Sequence, residues 1–141
     1  MGSDRVSGTY EDLTGWQKAI QLVLFIYSVT KRFPQDEIYG LTAQLRRAAV
    51  SIASNIAEGK GRSSDRDLLH FLSMARGSLF EVKTQLVIAS ELGYIDAESM
   101  KLASAKIAQL GRLLNGLMNS VRARLNKSTA KPSSLVEDCS S

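Results

Sequence analysis

Apolar positions recur along this chain at helical spacing. Ala103, Ile107, Leu110, Leu114, Leu117 and Val121 alternate steps of four and three, a coiled-coil-like seam about three heptads long. Leu68, Leu72, Ala75, Leu79, Val82 and Leu86 form a second unbroken stripe. Upstream the pattern broadens. Trp16, Ile20, Val23 and Tyr27 make one face, and Ala19, Leu22, Ile26, Val29 and Phe33 make another beside it. Leu41, Leu45, Ala48, Ile52 and Ile56 are likewise flanked by Val50, Ala53 and Ala57. No stretch alternates with a period of two over a useful length, so strands are not expected.

Punctuation divides this pattern into four helices. The first is expected from about Leu13 to Arg32, because Phe33 before Pro34 disfavours helical backbone. The second runs from about Gly40 to Ala57 and frays at Gly59 and Gly61. Ser64 caps the third, with Asp67 completing a weak capping box, and Gly93 stops it after Leu92. Asp96 caps the fourth, which reaches about Leu125. Residues 1–11 read as a flexible segment, 12–125 as the folded unit, and the polar, patternless 126–141 as a disordered tail. Short connections make successive helices antiparallel. The fold class is all-α: an up-down-up-down antiparallel four-helix bundle.

A bundle helix needs an apolar arc of roughly 100°. The first two helices exceed it, so apolar surface is left over once a single bundle closes. Leftover surface of this kind marks a subunit interface, and self-association is the first functional expectation. One exceptionally well-covered core is the alternative that pattern alone allows.

Composition adds limits. At 141 residues, with 44% hydrophobic and 23% charged positions, the chain suits one ordinary globular domain. The formal charge of +4 is a modest excess, compatible with an anionic partner and requiring none. The single cysteine, Cys139, permits no internal disulfide and fits a cytoplasmic setting. Met1 to Gly8 lacks the apolar core of a secretory signal, and no apolar run approaches the ~20 residues that span a bilayer.

The stretch LRRAAVSIASNIAEGKGRSS, Leu45 to Ser64, carries the candidate chemistry. Arg47, Ser51, Ser54, Glu58 and Arg62 share one face at ~100° per residue. Arg46 falls one turn before Val50 on the second apolar stripe, and Asn55 sits at the border of the main one. Arg76, Ser78, Glu81 and Gln85 on the third helix are available to them. Arg46, Asn55, Glu58, Arg76 and Glu81 therefore read as a polar network that fixes register and assembly. A catalytic reading would set Glu58, Glu81 and Arg76 around a wet cavity inside the bundle. It ranks last, because the acids have arginine partners at hand and no nucleophile–base pair accompanies them.

GKGRSS is not a Walker loop, since Gly-Lys is followed by Gly. It does place Lys60, Arg62 and Arg66 around the start of the third helix, where free backbone amides can hold a phosphate. With Arg47, these are the candidate nucleic-acid contacts; a solvated basic turn is the plainer reading. His70 has no metal-binding partner at suitable spacing and reads as a surface residue, so no metal or cofactor is expected. Gly111 and Gly116 weaken the fourth helix, which points either to close backbone approach or to tolerated surface glycines.

The motifs YEDLTGWQKA, FPQDEIYGLTAQLRRAAVSIASNIAEGKGR, FLSMARGSLFEVKTQL and ASELGYI, in this order, resemble a known family. It comprises bacterial four-helix-bundle proteins first noticed in intervening sequences of large-subunit ribosomal RNA genes. The resemblance covers roughly Tyr10 to Val121. It implies a small, cytosolic, ring-like homopentamer without enzymatic activity. It extends distantly to the accessory variability protein of diversity-generating retroelements, a basic pentamer that binds nucleic acid and a reverse transcriptase. Two positions depart from the family pattern: Ala53 stands where relatives often have proline, and Lys60 where they often have an aromatic residue. The first implies a straighter second helix, the second an added cation at the turn. The combined expectation is a non-enzymatic homo-oligomeric scaffold for RNA, DNA or a nucleic-acid enzyme. The alternative is a protein–protein adaptor with no nucleic-acid role.

Overall fold

The computed structural model describes residues 2–140, with side chains from residue 13 to residue 128. It contains four long helices: α1 (Gly2–Thr30), α2 (Leu41–Lys60), α3 (Asp65–Glu91) and α4 (Ala97–Ser140). A single 3-10 turn, Gln35–Glu37, follows Pro34 in the first connection. No strand occurs among the described residues. The flexible segment expected at 1–11 and nearly all of the tail expected at 126–141 lie outside the residues whose side chains are described. The helical bounds pass the expected ends at Leu13 and Leu125.

Three sequence signals sit where the helices turn. The Ser64 hydroxyl accepts the Asp67 amide at 3.1 Å and caps α3. Gly93 takes φ +80° just past α3, backbone that a side chain would strain. The Asp96 carboxylate accepts the Ser99 amide at 2.7 Å and caps α4. The end of α2 differs too. α2 does not fray at Gly59 but continues through it to Lys60, because the tight fit of Gly59 against α3 holds the last turn in helical form.

The start of α2 is capped from a distance. The Leu41 amide donates to Glu37 Oε1 at 3.0 Å, and the Tyr94 hydroxyl donates to Glu37 Oε2 at 3.0 Å. Tyr94 also meets Phe33, ring centroids 5.4 Å apart. One carboxylate thus ties the α1–α2 connection to the α3–α4 connection at the same end of the bundle. The two hydrogen bonds hold the Glu37 carboxyl below its usual range, the backbone amide of Leu41 contributing most.

α1 packs on α2, α2 on α3, α3 on α4, and α4 closes back on α1, while the diagonal pairs make no close backbone approach. This is the expected up-down-up-down order. The expected stripe of α4 is buried in full, and on α3 every stripe residue but the half-buried Leu68 is buried. Ala19, Leu22, Ile26, Val29 and Phe33 are the face of α1 that enters the core. Among the described residues, Thr30, Thr42 and Ser78 are the polar side chains in the interior, and no ionisable group is buried there. Thr30 is satisfied by donating to the Ile26 carbonyl at 2.7 Å.

Candidate interaction surfaces

The second apolar faces of α1 and α2 stay outside the core, and they fall side by side. Trp16, Leu24 and Tyr27 on α1 are 36, 64 and 39% exposed, and Val50 on α2 is 41% exposed. Arg46 joins the two helices. Its Nε donates to Thr30 Oγ1 at 2.9 Å, and its guanidinium lies 4.6 Å from the Tyr27 ring centroid. Because the helices are antiparallel, this contact sets Val50 near Tyr27. One and two turns further, Ala53 comes level with Val23 and Ala57 with Ile20. The result is an apolar strip along the α1–α2 seam, with small side chains on α2 and large ones on α1. Ala53 itself is buried at 6%, so the α2 side of the strip is carried by Val50 and Ala57.

The expected polar network separates into local pairs. The Ser51 and Ser78 hydroxyls share a hydrogen bond at 2.9 Å and make the link from α2 to α3. Asn55 does not cross to α3. Its Nδ2 donates back to the Ser51 carbonyl and hydroxyl at 2.9 and 3.0 Å, which orients Ser51. Arg76 donates to Asn115 Oδ1 on α4 at 3.0 Å rather than to an acid. Glu58 pairs with Arg62 at 2.7 Å, one turn away on the surface. Glu81 is exposed with no ion-pair partner among the described residues. The catalytic reading required Glu58, Glu81 and Arg76 in the bundle interior. Helix periodicity points Glu58 and Glu81 to solvent instead, and Arg76 is half-buried on the α4 side.

The basic candidates divide in two. Lys60, Arg62 and Arg66 cluster at the α2–α3 turn, whereas Arg47 lies up α2, eleven residues or ~16 Å before Glu58. Arg62 is committed to Glu58 and also lies 4.9 Å from the Phe71 ring centroid. Arg47 and Arg66 are exposed, with no ion pair among the described residues. Asp65 and Asp67 occupy the first turn of α3, and Arg124 grips Asp65 with two hydrogen bonds of 3.0 Å. The amide expected to meet a phosphate is thus already capped by Ser64 amid carboxylates. His70 is exposed and packs edge-on to Phe71. No three His, Cys, Asp or Glu gather at metal-binding distance among the described residues.

Close backbone approach occurs at Gly59, which the sequence marked only as a fraying point of the second helix. A Cβ on Gly59 would lie 2.9 Å from Phe71 Cβ and 3.2 Å from a Leu68 methyl. Gly111 has only an ordinary contact with Leu79 at 3.7 Å, and Gly116 faces open space. Gly116 is a tolerated surface glycine, and Gly111 is half-buried without a close backbone approach.

The family model for the 23S rRNA-intervening sequence protein matches residues 11–116. The chain belongs to this family. Among solved structures it is similar to a protein of unknown function from the S23 ribosomal protein family of Bacteroides thetaiotaomicron. That likeness has 20% identity and a TM-score of 0.72, and covers 77% of this chain and 98% of the other. It concerns the fold. No curated protein matches the chain. No helix among the described residues is long and apolar enough to cross a membrane.

Proposed function

We propose that this intervening-sequence protein is a non-enzymatic scaffold that self-associates through the α1–α2 seam, five copies to a ring, and carries RNA, DNA or a nucleic-acid enzyme on its basic surface in the cytoplasm. The observation that carries the reading is the strip of Trp16, Ile20, Val23, Leu24, Tyr27 and Val50, exposed or half-buried in a lone chain. Apolar surface grouped along one seam, rather than scattered, is characteristic of a protein interface. Repetition supports the nucleic-acid part: five copies would carry five times +4, or +20, and present the exposed Arg47 and Arg66 five times over.

A second reading, a protein–protein adaptor, is favoured by one observation. Around the α2–α3 turn, Glu58, Asp65 and Asp67 offset Lys60, Arg62 and Arg66. Two measurements separate these readings. Light scattering on the dilute chain is expected to give several times the 15.4 kDa chain mass; a 15.4 kDa species rejects self-association. Labelled RNA and DNA titrated in rising salt are expected to bind with affinity that falls steeply. Absence of binding at low salt leaves the adaptor reading.

A further inference from the structure

The α1–α2 strip accounts for one apolar surface, and a second lies on the far side of the bundle. On α3, Phe80, Val87 and Ile88 are 59, 45 and 45% exposed. Beside Phe80, an open groove is lined by Gly77, Glu81, Thr84 and Gln85. Gly77 leaves room there, since a Cβ at that position would touch nothing within 4 Å. α3 is diagonal to α1, so the two surfaces cannot cover one another within one chain.

Their chemistry is complementary. Residues 13–33 of α1 and its end, and residues 41–57 of α2, contain no Asp or Glu. Arg46 lies on the strip over Tyr27, and Lys31 and Lys60 follow the strip residues of α1 and α2 in sequence. The exposed part of α3 carries Glu81 and Glu91, with Lys83 at its flank one turn before Val87, none of them ion-paired among the described residues. Gln85 of the groove lining also carries the one buried side-chain polar atom without a hydrogen-bond partner among the described residues, its Oε1. The lining offers the Glu81 carboxylate as an acceptor, beside the Thr84 hydroxyl and the Gln85 amide, which can donate as well as accept. The strip offers an indole N–H at Trp16 and an ammonium at Lys60. An isologous pairing of strip on strip would leave the α3 surface bare, whereas strip on α3 covers both.

We infer that the outer face of α3, centred on Gly77, Phe80, Glu81, Thr84 and Val87, is the receptor for the α1–α2 strip of a second copy, so that subunits join head to tail. This rests on the self-association reading above and names the surface that the strip meets. Each subunit then has one donor face and one acceptor face, and the chain of contacts ends only by closing a ring.

The test is complementation between two variants of the full chain. Leu24→Glu spoils the strip and Phe80→Glu spoils the receptor; both side chains are more than half exposed, so the bundle itself should fold. Circular dichroism checks this, and Phe80→Gln replaces Phe80→Glu if helicity is lost. Each variant alone is expected to run at or near the 15.4 kDa chain mass. Mixed in equal amounts, they are expected to give a species of twice that mass, because one intact strip still meets one intact receptor. Two outcomes overturn the inference while self-association stands: Phe80→Glu assembling like the unaltered chain, or two single-subunit variants whose mixture shows no heterodimer. A single-subunit unaltered chain instead removes the self-association reading itself.

Discussion

Tyr94 donates its hydroxyl to Glu37, 57 positions earlier in the chain, at 3.0 Å. The bond closes a clasp across one end of the bundle, because the other oxygen of Glu37 caps the first turn of α2. Its pH dependence follows from the two partners. The Glu37 carboxyl is held below its usual value by the Leu41 amide first and the Tyr94 hydroxyl second. The stabilisation is present above the unfolded carboxyl pKa and is lost as pH falls through the lower folded value. Tyr94 is shifted upward, chiefly by its bond to Glu37. Its contribution is complete below the unfolded phenol pKa and is lost as pH rises through the folded one. Urea midpoints measured across pH should therefore fall on both flanks. Glu37→Gln should flatten the acid flank, leaving only the part due to groups such as Asp96, whose carboxyl is lowered by the Ser99 amide. Tyr94→Phe should flatten the alkaline flank.

Gly59 and Gly116 should respond oppositely to alanine. At Gly59 the new methyl would press on the Phe71 Cβ at 2.9 Å, so overpacking should cost ~1–3 kcal/mol. At Gly116 nothing lies within 4 Å, and alanine should stabilise α4 by up to ~1 kcal/mol through helix propensity. Chemical denaturation of the two variants at one protein concentration gives the comparison. Equal signs would show that Gly59 and Phe71 fit more loosely than a 2.9 Å approach implies.

Leu114 is fully buried on the α4 seam. Leu114→Ala should cost ~2–5 kcal/mol, read as a lower urea midpoint. Leu102→Ala, at a position 53% exposed on the same helix, should change it little. The contrast tests whether the alternating stripe of α4 is the side that faces the core.

Arg47 and Arg66 are the cations whose loss should be felt most by an anionic polymer. On the proposed nucleic-acid reading, Arg47→Gln or Arg66→Gln should weaken binding uniformly across sequences. Each should lower the slope of log affinity against log salt by about 1. Arg62→Gln should do less, because that guanidinium already neutralises Glu58 at 2.7 Å. An unchanged slope in the first two variants would move the contact surface elsewhere.

These contrasts also show which features a linear reading can reach. Ser64, Gly93 and Asp96 act on backbone within three or four residues, so their roles were visible in the sequence. The core stripes were visible because burial imposes the helical period. The Glu37 clasp was not, since its partner is remote and a carboxylate four residues before a helix has no distinctive pattern. The polar contacts were less legible for a related reason: the sequence offered Arg76 to the polar groups of α2, whereas packing set it opposite Asn115 on α4. Surplus apolar faces on α1 and α2 were legible, and so was the place of Arg46 on the second stripe of α2; its contact with Thr30 and Tyr27 on α1 was not. The exposed face of α3 was missed because its Phe80, Val87 and Ile88 flank a stripe that already explained the helix.

The interior of the described bundle holds hydroxyls but no ionisable side chain. Cohesion of each subunit is therefore nearly indifferent to ionic strength, while any grip on a polyanion is not. Concentrated brine should wash such cargo away and leave intact protein ready for reloading, so purification from its host can be staged as capture, elution and reuse without a refolding step.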